Sequence, residues 1–228
     1  MCGMIRALIF DFDGLILDTE VPVFQSWQEV FEAYGSSLSL ATWAPIIGGS
    51  GDAPRFNPYE FLESQLGRPV DRDEVRLMQR RRFAELVDTE SPLPGVESYI
   101  SDARRLGLRI GLASSSTREW VTGHLSKLGL LGHFECIACS DDVERTKPDP
   151  QLFHAVLRGL GVVAEQGIVL EDSPNGVLAA KRAGLYCVAV PNPLTRQLSL
   201  GGADLRLNSL ADMPLEELLL KVQMSSRA

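Results

Sequence analysis

The sequence predicts an α/β fold: a Rossmann-like, doubly wound parallel sheet core with an inserted α-helical domain. Three observations predict it. Short apolar runs alternate with amphipathic segments along most of the chain, the pattern of βαβ units whose sheet is covered on both faces. Gly107, Gly129, Gly161 and Gly184 each stand just past the last apolar position of an amphipathic segment, where a helix ends and the chain returns to a strand. The rhythm breaks once, between the first and second apolar runs, over a stretch far longer than the dozen or so residues that a crossover needs.

Strands are expected at 6–10, 108–113, 134–138, 167–170 and 187–190, and helices between the later ones at 97–106, 119–128, 151–160 and 175–183. The long interruption carries helical patterns at 22–34, 58–66 and 71–87, no clear strand, and ends in the turn chemistry of Ser91-Pro-Leu-Pro-Gly95. We therefore divide the chain into a core of residues 1–18 and 91–228 and a helical domain of 19–90, joined near 17–20 and 87–94. Residues 215–220 read as a closing helix. Neither internal repeats nor low-complexity segments interrupt this organisation.

Composition narrows the function. The 228 residues are 45% hydrophobic and 23% charged, which excludes a disordered or collagen-like chain. Lys and Arg total 22 against 30 Asp and Glu, a net charge of −8, the wrong balance for a protein that neutralises nucleic-acid phosphates. The first apolar run is cut at once by Asp11 and Asp13, so a secretory signal is not expected. Nothing approaches the ~18 apolar residues of a membrane span, and the expected location is the cytoplasm. Cys2, Cys136, Cys139 and Cys187 are too sparse for a disulfide scaffold. Cys136 and Cys139 form a CxxC without a second ligand pair, which favours packed thiols over redox or metal chemistry.

Acidic residues stand where strands end. Asp11-Phe-Asp13-Gly14 follows the first expected strand, Glu171-Asp172 the fourth and Ser114 the second, while Lys147 lies in the connection after the third. Ligands bind beyond the carboxyl ends of an open parallel sheet, so these groups should converge. Strand geometry sends residues 11 and 13 one way and Phe12 the other. Carboxylates gathered this closely repel unless a cation joins them, and oxygen-only ligands suit Mg2+ with a substrate phosphate. One carboxylate could then act as nucleophile and another as proton donor. Each residue also has a plainer use: Asp11 or Asp13 in a turn, Ser114 or Asp172 as a helix cap, Lys147 as a solvated charge. His124, His133 and His154 fall away from the strand ends and read as surface residues.

Together Asp11-Phe-Asp-Gly-Leu-Ile-Leu-Asp-Thr-Glu20, Leu112-Ala-Ser-Ser-Ser116, Thr146-Lys-Pro-Asp-Pro150 and Val169-Leu-Glu-Asp-Ser-Pro-Asn-Gly176 resemble the haloacid dehalogenase superfamily. The likeness is to its branch of β-phosphoglucomutase-like proteins and phosphatases, and the helical insert sits where that branch carries a cap. The resemblance implies a phosphatase that uses Mg2+, acts on a small phosphorylated metabolite of the sugar-phosphate or nucleotide class, and is monomeric. It implies Asp11 as the nucleophile and a metal ligand, and Asp13 as general acid and base with its backbone carbonyl on the metal. Ser114 and Lys147 would hold the phosphoryl group, Asp172 would bind the metal, and Glu171 would be a ligand or stand behind the ligands. Asp13 separates this chemistry from dehalogenation, which lacks that second aspartate.

The alternative is a phosphomutase of the β-phosphoglucomutase type. In the cap loop Ile47-Gly-Gly-Ser-Gly-Asp52, Gly51 occupies a position where such mutases are expected to carry Arg. Losing a guanidinium clamp weakens the grip on a second phosphate, although Arg55 stands nearby as a substitute. Arg80, Arg81 and Arg82 read as a solvated helix face. Substrate contacts are expected from Glu20, Gly49, Ser50 and Ser115, and Arg118 either reaches the substrate or lies on a helix surface. Trp27, Trp43 and Phe56 read as core of the helical domain rather than substrate contacts.

Overall fold

A computed structural model describes residues 4–43 and 56–225. Its centre is a six-stranded parallel sheet in the order β3-β2-β1-β4-β5-β6. The strands are β1 (Ala7–Phe10), β2 (Arg109–Ala113), β3 (Cys136–Ala138), β4 (Gly167–Glu171), β5 (Tyr186–Ala189) and β6 (Leu205–Arg206). The first five are those expected. The sixth has two residues, too few to leave a periodic signal, and is held by pairing to β5.

Two helical layers cover the sheet. Along β1, Leu8 and Phe10 enter one apolar cluster and Ala7 and Ile9 the other, as alternation requires of a strand buried on both faces. The first cluster is closed by α5 (Val96–Arg105), α6 (Arg118–Lys127) and α9 (Leu215–Ser225), the second by α7 (Gln151–Leu160) and α8 (Pro174–Arg182). The four helix-ending glycines all adopt positive φ. Thr117 caps α6 by accepting from Trp120 N, and Ser173 caps α8 by accepting from Gly176 N. Neither Ser114 nor Asp172 is spent on a cap.

Among the described residues four helices lie between β1 and α5: α1 (Glu20–Ala33), α2 (Leu40–Trp43), α3 (Pro58–Leu66) and α4 (Arg72–Val87). They share a third apolar cluster containing Phe24, Trp27, Phe31, Trp43, Leu62 and Val75, with Phe56 packed against it. Arg82, still on the solvated face expected of it, pairs with Glu29 of α1 at 2.6 Å and also meets Glu85. The two connections to the sheet run side by side: Leu17 bridges Pro92, and Leu93 N donates to Ile16 O at 2.8 Å. Among the described residues no helix is long and apolar enough to cross a membrane.

Phe31 is fully buried in the third cluster, so Phe31→Ala should cost about 3–5 kcal/mol in urea unfolding. Arg82→Ala, which removes a largely solvated ion pair, should shift the urea midpoint far less than Phe31→Ala.

Candidate active site

Pairing of β1 between β2 and β4 aligns three carboxyl ends, with Phe10 opposite both Leu112 and Leu170. Asp11 therefore emerges beside Glu171 and Asp172, and ligand oxygens of these three lie within 4.8 Å of one another. All three residues are buried. The Lys147 ammonium reaches into the cluster and donates to Asp11 Oδ1 and to Glu171 Oε1, both at 2.6 Å. Glu171 Oε2 accepts from the Asp172 and Ser173 amides and from Ser173 Oγ, so both of its oxygens have donors. Asp172 Oδ2 accepts from Asn192 Nδ2 at 2.8 Å.

Glycines make room for this packing. A Cβ on Gly176 would stand 1.9–2.0 Å from the Glu171 carboxylate. One on Gly14, whose φ is +77°, would meet Asp172 at 2.3 Å and Asn192 at 2.7 Å.

The charges do not balance. Burial, then the Glu171 charge, pushes Asp11 up to about 8 despite Lys147. Burial and the Asp11 charge raise Asp172 well above the ordinary carboxylate range. For Lys147, burial works against the charge, but Asp11 and Glu171 outweigh it and raise the ammonium overall. Three carboxylates facing one ammonium, with oxygen donors only, suit a hard divalent cation.

Asp13 has a different setting. Its carboxylate is outside the acidic cluster and accepts from Ser116 Oγ at 2.6 Å, Ser114 Oγ at 3.3 Å and Trp120 Nε1 at 3.0 Å. Phe12 turns into the core, while Asp11 and Asp13 both line a cavity of about 500 Å³. Glu20, Ser114, Ser115, Lys147 and Asp172 line it too. Burial, then the charges of Asp13 and Asp18, pushes Glu20 up to about 7.

Other expected residues fare differently. Arg118 is turned away: its guanidinium donates to Ile137 O at 2.9 Å and pairs with Asp142 at 2.6 Å, which fastens the start of α6 to the end of β3. Gly49, Ser50, Gly51 and Arg55 lie outside the described residues. Ser116 and Trp120 are the residues that sequence reasoning missed. Nothing in the local pattern sets Ser116 apart from the neighbouring Ser114 and Ser115, and Trp120 falls near the start of the helix expected at 119–128. His124, expected at the surface, is half-buried with its ring 4.1 Å from Trp120, edge to face.

The family model for haloacid dehalogenase-like hydrolases matches residues 8–190. The chain is 49% identical over 216 residues to "Putative phosphatase YhcW" of Bacillus subtilis (strain 168), covering 95% of this chain and 97% of that one. The chain belongs to the haloacid dehalogenase-like hydrolases. It falls in their phosphatase branch, the phosphoric monoester hydrolases. It is 30% identical to "Phosphorylated carbohydrates phosphatase" of Thermotoga maritima, covering 94% and 96% of the two chains. Among solved structures it resembles CbbY from Rhodobacter sphaeroides in complex with phosphate, with a TM-score of 0.69, 29% identity, and 92% and 96% of the chains covered.

None of the three described cysteines of this hydrolase lines the acidic cavity. Cys136, Cys139 and Cys187 are free thiols. Burial raises all three, Cys139 to about 11 and Cys187 further. At pH 8 Cys139 and Cys187 are therefore overwhelmingly the unreactive thiol. Iodoacetamide at that pH should label Cys139 and Cys187 only after denaturation, as read by mass spectrometry.

Gly176→Ala should displace Glu171 and loosen Lys147, lowering hydrolase activity by roughly 10–100-fold. Gly123→Ala, in α6 with nothing within 4 Å of the added Cβ, should raise stability by about 0.5–1 kcal/mol and leave activity intact.

Proposed function

We propose that the chain is a Mg2+-dependent phosphatase of a small phosphorylated metabolite, working through a phospho-aspartate on Asp11. One observation carries the reading: two aspartates from one strand end face one cavity in opposite settings. Asp11 lies in the acidic cluster against Lys147, and Asp13 is held outside it by neutral donors. Carboxylates in unlike environments take unlike roles.

Asp11 attacks the phosphorus, its bond to the phosphoryl group forms, and the ester P–O bond breaks. Asp13 gives its proton to the departing alkoxide. It then takes a proton from the water that attacks the phospho-aspartate, which releases phosphate and restores Asp11. Lys147 offsets negative charge on the transferring group, and the Ser114 hydroxyl is positioned to hold one of its oxygens. Asp11, Asp172 and the Asp13 carbonyl would hold Mg2+. When bound, the ion supplies positive charge that permits Asp11 to be ionised beside a phosphate. Glu171, with donors on both oxygens, stands behind these ligands and orients Lys147.

Residues 19–90 act as a cap. Val23 of α1 and Phe83 of α4 border the cavity, so closure of these helices would exclude water from the phospho-aspartate. Gly49 and Ser50 remain candidates for contacts within that cap. Among the described lining residues Lys147 is the only lysine or arginine, which suits a substrate with one phosphate and a neutral remainder. The name of the Thermotoga maritima relative supports a carbohydrate; a nucleotide is the other class considered.

Phosphate release should be measured across sugar phosphates and nucleotides with Mg2+ and with chelator. Metal-dependent release is the expected result, and Asp11→Asn should lower it at least about a thousandfold with unchanged circular dichroism. Conversion of a hexose 1-phosphate to its 6-phosphate without free phosphate would favour the phosphomutase alternative.

A further inference from the structure

Trp120 occupies a junction that neither the fold nor the chemistry above explains. Its indole is stacked on Phe83 of α4, with ring centroids 5.6 Å apart and planes at 15°. The His124 ring meets it edge to face at 4.1 Å. Held between α4 and the next turn of α6, the indole directs Nε1–H at Asp13 Oδ1, 3.0 Å away. Ser116 Oγ holds the other carboxylate oxygen at 2.6 Å. A ring placed only to fill space between two helices has no need to aim its one donor at a carboxylate in the cavity.

A short carboxylate side chain can rotate about its last bond, and donors on both oxygens set the plane of the group. Proton transfer to a leaving group demands hydrogen-bond reach and alignment, and small misplacements of a reacting group are costly. We propose that Trp120 is a positioning residue for Asp13, with its indole N–H fixing the carboxylate that exchanges the proton with the leaving group. Phe83 comes from the inserted helices, so the orientation is enforced while α4 lies against α6. The proposal rests on the reading of Asp13 as general acid and base.

Leaving-group dependence separates positioning from packing. The unmodified enzyme, Trp120→Phe and a chain with benzothienylalanine at position 120 are compared. Phe keeps a stacked ring and loses the N–H; the benzothienyl group also keeps the bicyclic shape and serves if Phe alters the fold. Each is assayed in single turnovers with enzyme in excess, on the hexose phosphate that the unmodified enzyme turns over fastest and on p-nitrophenyl phosphate. The rate of alcohol release isolates transfer to Asp11 from the hydrolysis step that both esters share. The sugar alkoxide needs a proton to depart, whereas nitrophenolate does not.

Both variants should lose roughly tenfold more of the saturating single-turnover rate on the hexose phosphate than on the aryl ester, with the half-saturating enzyme concentration changed less than about twofold. Equal losses on both esters would make Trp120 a packing residue and overturn the proposal. A raised half-saturating enzyme concentration with an unchanged single-turnover rate would make it a substrate contact, with the same consequence. No phosphate release by the unmodified enzyme from either ester would overturn the phosphatase reading and this assignment with it.

Discussion

The Lys147 ammonium, shared between Asp11 and Glu171 at 2.6 Å each, is the interaction on which the rest of the site depends. Its side chain is only 5% exposed, and those of its partners are 9% and 0% exposed. Buried charge is tolerated when paired and hydrogen-bonded, and removing one partner leaves the others uncompensated. The ammonium lies 5.3 Å from the centroid of the Phe153 ring, which adds a favourable aromatic face. Glu171 can serve Lys147 because its second oxygen is held by Ser173 and two amides. That hold is possible because Gly176 carries no Cβ. Glycine, glutamate, lysine and aspartate thus form one chain of constraint.

Asp13 is two residues away and escapes that chain. Strand alternation keeps it on the same side as Asp11, but Gly14 turns the backbone, and its carboxylate meets hydroxyls and an indole instead of an ammonium. The same residue type is thereby given two electrostatic settings. The parallel sheet makes this economical, since β1 has neighbours on both edges, one bringing Ser114 and the other Glu171 and Asp172.

The loop after β5 connects the helical insert to the acidic cluster. Asn192 donates to Asp172, and its Oδ1 accepts from the Leu194 and Thr195 amides. Leu194 is itself buried in the cluster formed by the inserted helices. The position of those helices is therefore felt at Asp172 through Asn192 and Leu194, and at Asp13 through Phe83 and Trp120.

Much of this was legible in the sequence because it depends on short-range pattern. Apolar alternation, helix-ending glycines and acidic residues placed just past apolar runs defined five strands, the insert and the convergence of Asp11, Asp13, Ser114, Lys147, Glu171 and Asp172. The two-residue β6 carried no pattern, being created by its pairing with β5. Arg118 and Arg82 were ambiguous because a guanidinium takes whichever carboxylate the folded chain presents, here Asp142 and Glu29. Ser116 was indistinguishable from Ser114 and Ser115 until Thr117 proved to be the cap of α6. By itself the sequence determined the sheet, the helical insert and the groups brought to the carboxyl edge, since local periodicity dictates each of them. Only the tertiary structure decided that Trp120 reaches Asp13 and that Gly176 accommodates Glu171, because those contacts arise from separate segments whose mutual placement no local pattern encodes.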